Sequence, residues 1–220
     1  MKLYTYWRSS AAYRVRIGLG LKELAYEART IDLVREGGEQ LGTEFRAVNP
    51  NALVPALELD DGRVLTQSLA ILEYLDELQP TPPLLPADRI ERARVRAAAQ
   101  LIACDVHPVN NLRVTTYLKT ELGHDQDDVV RWMRHWMSLG LEALTATIAP
   151  SERFCFGDTP TLADLCLVPQ LYNARRWGLE LKGLGRLVAI EEACLAMQAF
   201  AQATPEAQPD AVPPPGARRQ

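Results

Sequence analysis

KLYTYWRSSAAYRVRIGLGL, residues 2–21, passes from a strand pattern into a helix pattern at two adjacent serines. The residues before the serines are mainly apolar and aromatic, which favours a short strand. After Ser10 the apolar residues follow the helical period. Ser9 or Ser10 therefore lies at the start of a helix, where serine is a preferred N-cap and where free N–H groups and the helix dipole can hold an anion. A plain capping serine is the alternative interpretation.

Further strands and a second helix follow within the first part of the chain. Residues 25–33 (AYEARTIDL) alternate polar and apolar side chains and predict a second strand. A glycine-rich loop with room for one helical turn comes next. VPALEL and RVLTQS flank Asp60-Asp61-Gly62, which is a hairpin signal, and SLAILEYLDELQ has helical spacing. This order predicts a small α/β domain with a mixed sheet over residues 1–80.

A helical part follows a proline-rich boundary. PTPPLLPAD (80–88) contains four prolines, which cannot continue a helix and which stiffen a linker. Beyond it, the spacing of apolar residues predicts helices over about 88–120, 125–148, 161–177 and 184–203. We therefore expect a linker over 81–88, an all-helical domain over 89–204 and a proline-rich tail over 205–220 that stays disordered or lies on the surface.

Composition limits the classes of function. The chain has 220 residues, of which 47% are hydrophobic and 24% charged, as in an ordinary soluble globular protein. A net charge of −4 argues against a nucleic-acid partner. We expect no membrane association, because no apolar run approaches the length of a span. Four scattered cysteines without CxxC spacing predict reduced thiols and a cytoplasmic protein.

Two further motifs lie where the chain enters an element. In NPNALVPAL, Pro55 stands at the start of a strand, a position suited to a cis X–Pro bond. Val54 would then present its N–H and C=O to an extended peptide. In TQSLAI, Gln67 and Ser68 stand at a strand-to-helix junction that can bind a carboxylate. A strand-edge turn and another N-cap are the structural alternatives.

Other polar motifs have a structural interpretation. In TPTLADLCLVPQ, Thr161 and Asp164 have the three-residue spacing of a capping box. HDQDD (124–128) is typical of a helix start, and three widely spaced histidines do not indicate a zinc site. We expect no bound metal.

The order of these motifs resembles the glutathione transferases across nearly the whole chain. WRSSAAYRVRIGL is similar to the zeta-class signature, in which two serines and a cysteine precede RVRIAL. CDVHPVNNLRV and LYNARRW are similar to helical segments of the bacterial maleylacetoacetate isomerases in that class. The resemblance implies an α/β thioredoxin-like N-terminal domain plus an all-α C-terminal helical bundle. Ala11 stands where the signature has its cysteine. This departure argues against a mechanism in which a protein thiol participates, but not against one that uses only the glutathione thiol.

The resemblance also implies a reaction and a cofactor. Glutathione would serve the cis–trans isomerisation of maleylacetoacetate to fumarylacetoacetate by thiolate addition, bond rotation and elimination. Ser9 would face the sulfur with Ser10 assisting, although Ser10 remains a competing assignment. The other implied contacts of glutathione are Gln40, Val54, Pro55, Gln67, Ser68, His107 and Asn111. His107 and Asn111 are four residues apart, so we expect them on one helix face. The resemblance implies that this face looks into the cleft between the domains.

A dianionic substrate requires cations. Arginine suits bidentate carboxylate binding better than lysine does. Arg176, just before an aromatic residue, matches the family position best, whereas we expect Arg14 and Arg16 to be structural. In the family, the maleylpyruvate-type enzymes tend to carry a further arginine where this chain has Leu112, so the resemblance favours maleylacetoacetate over maleylpyruvate. The candidates for substrate binding are Arg8, Arg176, Arg175 and Arg113.

Three alternatives to this function stay open. The chain could be a maleylpyruvate isomerase, a zeta-type glutathione transferase or dehalogenase, or a non-catalytic binding module with the same fold. The family also implies a homodimer and a place in tyrosine and homogentisate breakdown.

Overall fold

The computed structural model describes residues 1–149 and 152–212 and divides the chain into two compact units. The first unit contains residues 1–82 and 196–212, and the second contains residues 83–195. The strands are β1 (Lys2–Thr5), β2 (Glu27–Thr30), β3 (Ala56–Glu58) and β4 (Val64–Thr66). The helices are α1 (Ser10–Leu21), α2 (Thr43–Val48), α3 (Ser68–Leu78), α4 (Arg89–Gln100), α5 (Leu112–Thr120), α6 (Gln126–Thr147), α7 (Leu162–Arg176), α8 (Gly185–Leu195) and α9 (Gln198–Ala203).

The first unit is built on a four-stranded mixed sheet in the order β2-β1-β3-β4. β1 pairs parallel with β2, from which α1 separates it in the chain, and antiparallel with β3. β3 and β4 form the predicted hairpin, in which Leu57 pairs with Leu65. Gly62 has a φ of +84° in its turn, a conformation that glycine adopts without steric cost. The mixed sheet and the helices predicted around it are confirmed.

Helices α1 and α3 pack against each other and bury their apolar side chains in the core of this unit. Leu3, Ile17, Leu57 and Ile71 are fully buried. The loop between β2 and β3 contains more helix than the single turn expected, because α2 follows two 3₁₀ turns.

The C-terminal segment belongs with the first unit, which differs from the sequence-based expectation for residues 196–204. The predicted helix over 184–203 is interrupted at Met197, whose φ of −89° and ψ of 134° are extended, so α8 and α9 are separate helices. α9 packs on α1 at Gly20, where an added Cβ would lie only 3.2 Å from the Ala199 Cβ. This close approach between distant residues is the reason for the different boundary.

Part of the proline-rich tail is ordered on the first unit. Pro205–Ala207 form a 3₁₀ turn, and Asp210 accepts a hydrogen bond from the Trp7 N–H at 3.0 Å. Residues 205–212 therefore lie on the surface of the unit, which is one of the two expected outcomes. Residues 213–220 of the predicted tail lie outside the described residues.

The second unit is helical, and the prediction of one helix over 88–120 is wrong. After α4 the chain forms a π-helix (Leu101–Val106) and a 3₁₀ turn (Pro108–Asn110) before α5 begins. Pro108 has no N–H to continue the helical hydrogen bonds. α6 and α7 have the predicted extents to within a residue or two at each end.

The capping box predicted at the start of α7 is present. Asp164 accepts hydrogen bonds from the Thr161 N–H at 2.7 Å and from the Cys155 N–H at 2.8 Å. Burial raises the pKa of the Asp164 carboxyl in spite of these donors. Its partners are all structural, as expected.

Cys155, Cys166 and Cys194 are buried, and Cys104 is exposed. None of the described helices combines the length and the apolar character needed to cross a membrane.

Candidate active site

The junction between β1 and α1 equips Ser9 to donate a hydrogen bond. Ser9 is the N-cap of α1, and its Oγ accepts the Ala12 N–H at 3.2 Å. A serine hydroxyl that accepts in this way still has its own proton to donate. The first turn of α1 contains no acidic residue, so the positive end of the helix is not neutralised by its own side chains. Ser10 is the first residue inside the helix and is buried.

The approach to β3 presents a backbone edge. The Val54–Pro55 peptide bond is cis, and Val54 precedes the paired register of β3, which starts at Ala56. The Asn49 side chain donates to the Leu53 carbonyl at 2.7 Å and so holds the turn before it. The peptide groups of Val54 therefore lie next to the sheet without belonging to its ladder.

The junction between β4 and α3 contains backbone strain. Gln67 has a φ of +69°, which is rare for a residue with a side chain and costs about 1–3 kcal/mol. Such residues are concentrated at ligand-binding sites. Ser68 begins α3 and is buried, and its Oγ accepts from Arg14 Nη1 at 3.2 Å.

Arg14 thus joins the beginnings of two helices. It lies in the second turn of α1, is 1% exposed, and reaches the first residue of α3. Its positive charge is therefore held beside the N-terminus of α3, where an anion is already favoured. The sequence predicts a structural role for Arg14 but gives no signal of this partner.

Gln40 has an unsatisfied buried acceptor. It is 8% exposed, and its Oε1 has no hydrogen-bond partner among the described residues. Gly38, two residues earlier, has a φ of +109°, and an added Cβ there would lie 2.4 Å from Gln40 Nε2. Only glycine therefore leaves room for this orientation of the amide. A buried acceptor of this kind calls for a donor from a ligand or from water.

Arg8 lies next to the Ser9 junction. Its guanidinium carbon is 4.7 Å from the centroid of the Trp7 ring, and its Nη2 donates to the Tyr6 hydroxyl at 3.1 Å. Its Nε has no hydrogen-bond partner among residues 1–149 and 152–212. The stacking fixes the guanidinium and leaves donor capacity for an anion.

In the second unit, the argument that placed His107 and Asn111 on one helix face is wrong. His107 is the C-cap that follows the π-helix, whereas Asn111 has an extended backbone (φ −66°, ψ 151°) and is the N-cap of α5. Its Oδ1 accepts the Arg113 N–H at 3.2 Å. Pro108 breaks the helix between them, so the four-residue spacing does not put the two side chains one turn apart.

The arginines of the second unit differ in their surroundings. Arg175 pairs with the buried Glu191, with nitrogen–oxygen distances of 2.6 and 2.5 Å. Arg176 lies over the Trp177 ring at 4.9 Å from its centroid, and Arg113 is exposed. The structure therefore commits Arg175 to a carboxylate of the protein itself.

Comparison with known proteins gives a consistent result. Residues 8–78 match the family described as "Glutathione S-transferase, N-terminal domain". The chain is 49% identical to a probable maleylacetoacetate isomerase of Vibrio cholerae over 210 residues, which cover 95% of this chain and 97% of the relative.

Solved structures agree with this similarity. The holo structure of a maleylpyruvate isomerase, described as a bacterial zeta-class glutathione S-transferase, has a TM-score of 0.91 and 46% identity over 96% of this chain and all of that chain. A maleylacetoacetate isomerase from Methylobacterium extorquens AM1 with bound malonate and glutathione has a TM-score of 0.92 and 41% identity over 97% of this chain and all of that chain.

Proposed function

The chain belongs to the zeta class of the glutathione S-transferase family, and from this we propose that it is the isomerase that converts maleylacetoacetate to fumarylacetoacetate with glutathione as cofactor. The observation that carries the proposal is the Ser9 junction, where a hydroxyl with a proton to donate stands at a helix N-terminus whose first turn contains no acidic residue. Such a junction stabilises a thiolate, and relatives with the same fold bind glutathione.

The first unit has groups that fit glutathione. The unsatisfied Gln40 acceptor suits a donor of the peptide backbone, and Val54 offers peptide groups outside the ladder. Gln67 and Ser68, at the N-terminus of α3 and beside Arg14, suit the γ-glutamyl carboxylate. We assign these residues to glutathione binding, with Pro55 fixing the turn at Val54. His107 and Asn111 remain proposed contacts from the second unit.

When bound, glutathione supplies a thiol that adds to the conjugated cis double bond and leaves again after the bond has rotated. The task of this chain is to keep that thiol ionised. A thiol with a pKa of about 8.5 needs about 2.7 kcal/mol to lower its pKa by two units. A hydrogen bond from the Ser9 hydroxyl to a charged acceptor contributes about 1.5–3 kcal/mol. The N-terminus of α1 adds about 0.3–2 kcal/mol, so no general base is required.

Arginines would hold the two carboxylates of the substrate. We propose Arg176 and Arg8, with Arg113 as a further candidate, because each provides N–H donors for bidentate binding. Arg175 is the weaker candidate, because releasing it would leave the buried Glu191 carboxylate without its partner.

Maleylpyruvate is the second candidate substrate. The similarity to a maleylpyruvate isomerase with a TM-score of 0.91 favours it, whereas Leu112, where that group tends to carry arginine, favours maleylacetoacetate. We further propose a homodimer that works in the cytoplasm in tyrosine breakdown, as the family resemblance implies.

The test is isomerisation of both maleyl keto acids by the purified protein, with and without glutathione. We expect turnover that requires glutathione and is faster with maleylacetoacetate. Faster turnover of maleylpyruvate would reverse the choice of substrate. Glutathione binding without turnover of either acid would contradict the isomerase and leave a transferase or a binding module. An assay for conjugation of glutathione to α-halo acids would then distinguish these two, since only the transferase forms the conjugate.

A further inference from the structure

The loop before Ser9 is held by a buried arginine that does not belong to the proposed glutathione site. Arg16 is 2% exposed, and its Nη2 donates to the Trp7 carbonyl at 3.1 Å. Its Nη1 donates to the Thr5 hydroxyl at 3.1 Å and to the Tyr6 carbonyl at 3.4 Å. One side chain therefore fixes the course of the backbone from the end of β1 towards the N-cap of α1.

The C-terminal segment holds the same loop from another direction. Asp210 Oδ2 accepts the Trp7 N–H at 3.0 Å, across 203 positions of sequence. Arg16 Nε also donates to the Ala203 carbonyl, at 3.1 Å, so the arginine joins the loop to the end of α9. Ala211 packs against the apolar cluster that contains Trp7. The N–H and the C=O of Trp7 are thus both bound by side chains.

A short connection links this arrangement to Ser9. The Tyr6 carbonyl, which accepts from Arg16, also accepts the Ser9 N–H at 3.0 Å. The backbone of Ser9 is therefore tied to a carbonyl whose own position depends on Arg16. Burial lowers the Arg16 pKa to about 10, which still leaves the guanidinium charged at neutral pH.

We propose that Asp210 and Arg16 are positioning residues, which hold the Trp7 peptide groups so that the Ser9 hydroxyl lies where it can donate to the glutathione thiolate. This inference rests on the proposed function and adds to it a role for the C-terminal segment. Neither side chain needs to touch glutathione or the substrate. Their effect on the reaction passes through the loop.

The test compares Asp210→Ala, Asp210→Asn and Gln208→Ala. The first variant removes the acceptor of the Trp7 N–H, and the second keeps a neutral acceptor. Gln208 is the matched control, because within the described part of the chain its Nε2 donates to the Gln202 and Thr204 carbonyls of the same segment. The readouts are the pKa of enzyme-bound glutathione, followed by the ultraviolet absorbance of the thiolate, together with kcat/KM and the melting temperature.

For Asp210→Ala we expect the bound thiol pKa to rise by about 0.5–1 unit and kcat/KM at neutral pH to fall about 3- to 10-fold, the size of one modest hydrogen bond. Asp210→Asn should recover most of this loss, and Gln208→Ala should keep the wild-type thiol pKa. An Asp210→Ala enzyme with the wild-type thiol pKa, whether or not it melts earlier, would overturn the proposal. Failure of the wild-type protein to bind glutathione would instead overturn the proposed function.

Arg16→Lys gives a second test that keeps the positive charge. A lysine ammonium cannot reproduce the planar set of donors that reaches Thr5, Tyr6, Trp7 and Ala203. We expect a rise in the bound thiol pKa in the folded variant, in the same direction as for Asp210→Ala. A folded Arg16→Lys enzyme with an unchanged thiol pKa would contradict the role of the arginine.

Discussion

At the start of α1, the Ser9 Oγ accepts the Ala12 N–H and keeps its own proton available to donate. The sequence alone leaves Ser9 and Ser10 as competing hydroxyls, because both stand at the junction. In the structure the two serines differ in position, since Ser9 is the N-cap and Ser10 begins the helix, and on this ground we propose Ser9 as the donor. The pattern of residue types thus finds the junction, and the backbone angles distinguish the two serines.

Ser9→Ala should lower kcat/KM with glutathione by about 10- to 100-fold, because it removes a hydrogen bond to a charged sulfur. It should also raise the pKa of the bound thiol. Ser10→Ala is the matched control and should change kcat/KM by less than about threefold, since only a neutral contact is lost. Ser9→Thr keeps the hydroxyl and should keep most of the activity. Greater loss in Ser10→Ala than in Ser9→Ala would reverse the assignment.

The neighbouring Arg175 and Arg176 allow a comparison of an arginine paired within the protein with the arginine that we propose to bind substrate. Arg176→Ala should raise the KM for the maleyl keto acid about 10- to 100-fold by removing charge-assisted hydrogen bonds, with little change in melting temperature. Arg175→Ala should instead lower the melting temperature, because the Glu191 carboxylate stays buried without its partner. Steady-state kinetics and thermal unfolding of both variants check this. A raised KM in Arg175→Ala together with an unchanged KM in Arg176→Ala would make Arg175 the substrate ligand.

At the scale of the elements, local pattern predicts the strands of the first unit and the helices α1, α3, α6 and α7. It fails where an element depends on its neighbours. The π-helix Leu101–Val106 has no sequence signature of its own and lies against α6, where Val106 meets Gly140. The division between α8 and α9 follows from packing on α1. Such contacts join residues far apart in the chain, so periodicity cannot reveal them.

Gly140 is required by this packing. An added Cβ there would lie 2.0 Å from Val106 Cγ2, which no real contact allows. Gly140→Ala should therefore lower the free energy of unfolding by about 1–3 kcal/mol, even though alanine favours helix. Gly185→Ala is the matched control, because nothing lies within 4 Å of an added Cβ at that position of α8. Urea unfolding measures both.

The double variant Gly140→Ala with Val106→Ala should recover part of the loss, because the smaller side chain makes room for the new methyl group. A Gly140→Ala protein as stable as Gly185→Ala would show that the π-helix can move away from α6 without cost.

At the scale of the whole molecule, the first unit is discontinuous in the chain. Its first boundary, after Pro82, lies within the proline-rich segment of the sequence. The return of residues 196–212 to this unit could not be predicted, because it rests on Gly20 against Ala199, on Arg16 with Ala203 and on Trp7 with Asp210. Each of these pairs joins residues far apart in the chain, and one partner in each is a backbone group or a glycine, so the residue types do not indicate the contact.

A fragment of residues 1–82 should therefore fold poorly on its own. Without α9, the face of α1 that packs on it loses its cover, and the buried Arg16 Nε loses the Ala203 carbonyl as its acceptor. We expect the fragment to unfold without a cooperative transition, or at a much lower temperature than a fusion of 1–82 to 196–212 through a flexible linker. Circular dichroism during heating compares the two.

The same fusion with Asp210→Ala should melt only slightly earlier, because the hydrogen bond between Asp210 and Trp7 lies on the surface loop rather than in the α1–α9 packing. Equal melting temperatures for the bare fragment and the fusion would mean that residues 1–82 already contain all that this unit needs, and the C-terminal segment would then contribute to the position of Ser9 without contributing to stability.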